Sequence, residues 1–167
     1  MHFMKSLFPL FIFFSLSSFA QKNVSNVRSI LTNVDSVIIA NHESLFVPEK
    51  PIGTPAEKGK EIVINGKPNY SIILKSHKLD SKSIDSLVVI LTKEVDGDIN
   101  KMACFDPHHI IYIFKKGNLS YFDICFGCHD FSISKDIKTG GHEFTNETWA
   151  ELESFFKNRG FDNTILF

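Results

Sequence analysis

Two apolar runs, Ile110 to Lys115 and Leu119 to Phe126, flank the dipeptide Gly117-Asn118. β-Branched and aromatic residues on either side of a tight turn read as a β-hairpin. No other stretch of the chain restricts its fold as strongly. With Gly117-Asn118 as a two-residue turn, Tyr112 faces Asp123, Ile110 faces Cys125, His109 faces Phe126 and Pro107 faces Cys128. Cys104 then lies just beyond the same end. All three cysteines, with His108, His109 and His129, are expected at the open mouth of this hairpin.

The remaining segments supply helices and further strands. Val27, Ile30, Leu31 and Val34 recur at helical spacing over residues 26–33. Val37 to Ala40 reads as a buried strand. Pro48, Pro51, Gly53 and Pro55 punctuate a polar loop. Asn65-Gly66 between Glu61–Ile64 and Tyr70–Lys75 signals a second hairpin. Asp80 or Ser81 caps a helix whose Ile84, Leu87, Val88 and Leu91 share a face. A last helix follows Thr145, buries Trp149, Leu152, Phe155 and Phe156, and stops at Gly160. Hairpins separated by helices, without regular βαβ alternation, imply an α+β fold: an antiparallel sheet with about three helices packed on it. A chain of 167 residues suits one such domain.

Residues 1–20 are set apart from that domain. Lys5 precedes an apolar run from Leu7 to Phe14, and Ser18-Phe19-Ala20 closes the segment before Gln21. This order is that of a secretory signal, and the run is far shorter than the ~20 residues a membrane span needs. The expectation is a signal peptide followed by one domain over 21–167, secreted or periplasmic, with no membrane anchor once the signal is removed. A net charge of −1 without any basic run argues against a nucleic-acid partner.

Export places the three cysteines in an oxidising compartment, where cysteines pair. Along an extended strand, Cys125 and Cys128 would lie about 10 Å apart at ~3.3 Å per residue. They can pair only if Gly127 turns the chain, so Cys104 with Cys125 or Cys128 is the geometrically easier disulfide. A second reading is a zinc site, with Cys104, Cys125, Cys128 and either His108 or His129 forming a tetrahedron. A third is haem, because Cys125-Phe126-Gly127-Cys128-His129 matches the Cys-x-x-Cys-His attachment signature. Asp96-Gly97-Asp98 begins like a calcium loop, but Lys101 stands where glycine is needed and Pro107 where the bidentate acid is needed. No Gly-x-Ser-x-Gly elbow is present.

The pattern Cys104-x-x-Pro107-x-His109 followed by Ile124-Cys125-Phe126-x-Cys128 resembles that of a group of small, uncharacterised exported bacterial proteins. The resemblance covers about thirty residues and the aromatic C-terminal helix, and its shared positions are Cys104, His109, Cys125 and Cys128. This chain departs from that group at His108, where arginine is usual, and in carrying His129. The resemblance implies no activity. The expected function is a non-enzymatic binding or structural module built on a disulfide or metal cluster, with a metal ion or a protein as its partner. The alternative is thiol-redox or c-type haem electron transfer through Cys125-x-x-Cys128-His129.

Overall fold

The computed structural model describes residues 25–45, 59–93, 97–140 and 143–161. The signal peptide expected over residues 1–20, residues 46–58 of the proline-punctuated loop and the start of the rejected calcium motif lie outside these residues. Ten elements follow in order: α1 (Val27–Leu31), β1 (Ser36–His42), β2 (Val63–Ile64), β3 (Lys67–Pro68), β4 (Ile73–Lys78), α2 (Ser81–Leu91), β5 (His109–Lys115), β6 (Asn118–Cys125), β7 (Asp130–Ile133) and α3 (Asn146–Lys157). Five strands form one antiparallel sheet in the order β4-β1-β5-β6-β7, and β2-β3 form a separate ribbon. This is the α+β architecture expected from the alternation of hairpins and helices. Among the described residues, no helix is long and apolar enough to cross a membrane.

Side chains alternate across a strand, so the sheet has two faces with different coverings. Val37, Ile39, Ile111, Ile113, Phe122 and Ile124 share one core with the apolar stripes of all three helices. On the outer face, Ala40, Ile110 and Tyr112 pack with Ile62 and Ile72 from the segment that carries the β2-β3 ribbon. Tyr112 ties that segment down, its hydroxyl donating to the Ile62 carbonyl at 2.9 Å. β5 is therefore covered on both sides, which is why its sequence is continuously apolar rather than alternating.

Two pairings differ from the sequence expectation. The β5-β6 turn is Lys116-Gly117, with φ of 50° and 77°, and Lys115 pairs with Asn118. The glycine thus takes the second central position of the turn, and the Lys116 amide donates to Asp35 Oδ2 at 2.7 Å, holding lysine in the left-handed region. Tyr112 consequently faces Tyr121, and Ile110 faces Asp123. Asn65-Gly66 does form a tight turn, but it joins Val63–Ile64 to Lys67–Pro68. The strand near Tyr70–Lys75 pairs instead with β1 as β4. Pro68 lacks an amide hydrogen and ends the ribbon early.

The helix ends follow local rules. Asp80 Oδ1 accepts the Ser83 amide at 2.7 Å, and Thr145 Oγ1 accepts the Thr148 amide at 3.2 Å. Beyond α3, Gly160 takes φ of 78° and the Phe161 amide reaches back to the Phe156 carbonyl at 3.2 Å. Thr145→Ala should lower stability by about 1 kcal/mol, because a buried helix end then loses the acceptor of one orphan amide. Urea unfolding of this variant beside Thr145→Ser, which keeps the hydroxyl, checks that value.

Candidate functional site

The outer face of the sheet buries an ionisable pair. Ala40, Ile110 and Asp123 stand in register across β1, β5 and β6, and His42 lies two residues beyond Ala40 on the same face. His42 reaches across β5 so that its Nε2 meets Asp123 Oδ1 at 3.0 Å, the two side chains being 0% and 3% exposed. The other ring nitrogen, Nδ1, lies 2.8 Å from the Glu43 carbonyl. A carbonyl only accepts, so Nδ1 carries a hydrogen. One further proton is then shared between Nε2 and the carboxyl, and the pair is neutral overall whichever atom holds it. Burial pushes the Asp123 carboxyl above the usual carboxylate range, against the hydrogen bond and charge of His42 and the more distant charge of His108.

Asp123 lines an open cavity of about 490 Å³ between the sheet and the segment ahead of β2. Ile62, Val63 and Pro107 form its apolar wall, and Phe105 and Tyr121 contribute rings. Asp106 and Ser132 add polar groups near Asp123. Asp106 is itself held: Ser44 Oγ donates to its Oδ1 at 2.9 Å and His108 Nε2 lies 3.2 Å from its Oδ2. Tyr121 keeps its phenolic proton more firmly than usual, first because it is partly buried and then because Asp123 and Asp136 are near.

Of the cysteine and histidine residues singled out in the sequence, Cys125 and Cys128 form a disulfide, Cys104 is an exposed thiol, and His108, His109 and Cys125 border one cavity. Cys125 ends β6, the chain turns there with the Cys128 amide donating to the Cys125 carbonyl at 3.3 Å, and the two cysteines are joined as a disulfide with Cα atoms 5.3 Å apart. The turn brings together residues that an extended strand would hold apart, and it overturns the easier pairing expected for Cys104. Cys104 is exposed and free. The disulfide therefore closes a local loop with a sequence separation of 3. Closing so short a loop restrains the unfolded chain by only about 2 kcal/mol, against ~3 kcal/mol for a fifteen-residue loop.

The histidine rings have different neighbours. His109 is buried on the helix side, edge-on to Phe126 and Phe156 at 5.0 and 5.5 Å between centroids. His129, with φ of 51°, stacks on Trp149 at 5.5 Å and directs Nδ1 to the Asn100 carbonyl at 3.1 Å. Among the described residues, no three of His, Cys, Asp and Glu are grouped so as to hold a metal ion. Two of the sulfurs expected in the zinc tetrahedron bond each other, and Cys104 is exposed and bonded to neither. The haem signature fits no better. Its two cysteines are joined to each other and its histidine is packed against indole. A second cavity, of about 200 Å³, does gather Asp106, His108, His109, Cys125 and Glu153 beside Gly127.

Sequence reasoning missed His42 and Asp123. A signal was present in Asp123, the one charged residue inside the apolar run from Leu119 to Phe126. A buried strand tolerates a carboxyl only beside a partner, and that partner lies 81 residues away.

No protein-family model matches the chain, no curated protein matches its sequence, and no solved structure matches its fold.

Proposed function

We propose that this protein is an exported, non-enzymatic binding module that takes a small, partly apolar molecule in the cavity over the outer sheet face, with Asp123 accepting a hydrogen bond from it. The observation that carries this reading is the buried His42–Asp123 pair, one member of which lines a cavity of about 490 Å³. Burying two ionisable groups costs folding energy that an apolar pair of the same volume would not. A largely apolar cavity with a few convergent polar groups is the usual form of a small-molecule site. Recognition is favoured over catalysis because the His42 side chain is fully buried behind Asp123 and cannot exchange a proton with a ligand directly. Export is supported by the charged, apolar and small-residue order of residues 1–20.

The test is amide chemical-shift mapping with single-function fragments: alkyl amines and alcohols on one side, alkyl carboxylates on the other. Amines or alcohols should move the amides of Ile62, Tyr121, Asp123 and Ser132, and carboxylates should not. Ser132→Phe, which projects a ring into the cavity from β7, should abolish the response while the rest of the spectrum is kept. Shifts that persist in Ser132→Phe, or no fragment that moves these four amides, would reject the cavity as the site.

A further inference from the structure

We propose that Cys125 and Cys128 exchange with thiols and disulfides that enter through the second cavity, with Cys125 as the sulfur that is attacked. Of the two cysteines, Cys125 lines that cavity, together with Gly127, His108, His109 and Glu153. Both cysteines are buried, and Cys128 is not among the residues that border the cavity. This asymmetry gives an incoming sulfur a route to one end of the disulfide and leaves the other end as the departing group.

The fold is arranged to survive reduction. The turn that brings the two cysteines together is also held by backbone hydrogen bonds, from the Cys128 amide to the Cys125 carbonyl and from the Met102 amide to the Cys128 carbonyl at 2.9 Å. His129, next in the chain, is anchored on Trp149. These contacts involve no sulfur, so the dithiol keeps its two ends adjacent and can close again. The loop is too short for stapling to be the main consequence of the bond.

The exchange balances with a thiol as the reductant. A thiol loses its proton to solvent, and its sulfur attacks Cys125 Sγ. The Cys125–Cys128 bond breaks, and Cys128 leaves as a thiolate and takes up a proton. A second thiolate attacks the outer sulfur of the mixed disulfide and releases a free disulfide, and Cys125 is protonated in turn. Two thiols are oxidised to one disulfide while the protein gains a dithiol. The reverse sequence uses a disulfide as the oxidant.

The experiment uses the full chain with Cys104→Ser, which removes the exposed free thiol and leaves the turn intact. Oxidised protein is incubated with reduced glutathione under native conditions, alkylated with iodoacetamide and weighed intact. At least one alkyl group, on Cys125, is expected while the thermal unfolding transition persists. Alkylation only after unfolding in urea would overturn the proposal. Regiochemistry is tested by adding Cys128→Ser or Cys125→Ser and exposing each folded protein to oxidised glutathione. The thiol at Cys125 should form its mixed disulfide about tenfold faster than the thiol at Cys128, as access decides which sulfur reacts. Equal rates, or a faster Cys128, would overturn the assignment of Cys125.

Discussion

Replacing Trp149 with alanine is expected to lower the stability of the protein by about 3–5 kcal/mol, a large part of what a domain of this size possesses. Trp149 is 2% exposed and is the meeting point of the aromatic core. Its ring lies 5.3 Å from Phe144, 6.1 Å from Phe131, 6.3 Å from Phe126 and 5.5 Å from His129, centroid to centroid. Those neighbours come from β7, from the turn after β6 and from the chain ahead of α3. They cannot all move inward to fill the space an indole leaves, so the cavity persists and its cost adds to the lost transfer energy. Val89→Ala, on the exposed side of α2, should change stability by no more than about 0.5 kcal/mol. Urea unfolding of both variants makes the comparison. A Trp149→Ala protein as stable as Val89→Ala would mean that α3 does not depend on this contact.

The buried pair should show a comparable loss with a different signature. His42→Leu and Asp123→Leu each leave one ionisable group buried without its partner, and each is expected to cost about 3–5 kcal/mol. The double variant should cost far less than the sum of the singles, because it removes both desolvated groups at once. Asp123 also gives a pH test. Its pKa in the folded protein is raised above the ordinary 3.8 by burial. Stability linked to its own titration is therefore fully present below pH 3.8 and is lost as pH rises through the folded value. Measured by urea unfolding, the advantage of the natural protein over Asp123→Asn should shrink as pH rises through that window. An advantage that grows with pH would show that the charge of His42 outweighs burial at this carboxyl.

The three helices and most strands could be placed from the sequence, as could the starts of α2 and α3. Helical spacing placed Trp149, Leu152, Phe155 and Phe156 on the buried side of α3, and short polar side chains at Asp80 and Thr145 placed both helix starts. These signals act within one turn of helix or along one strand, so they need no knowledge of the rest of the molecule. The expectation failed wherever distant segments had to choose partners. β7, only Asp130–Ile133 and half-buried throughout, has no alternation of its own and exists because β6 offers it an edge. β4 pairs with β1 because the tight Asn65-Gly66 ribbon uses up its own neighbours. The β5-β6 register follows from Asp35, a residue far away in sequence that binds the Lys116 amide. Cys125 found Cys128 because the strand ends at the first cysteine, which frees the chain to turn. The candidate binding site is the extreme case. Its floor joins His42 to Asp123 across an intervening strand. Only the folded sheet brings those two residues to one face, because strand order and register are settled by packing of the whole chain and not by the residues beside either one.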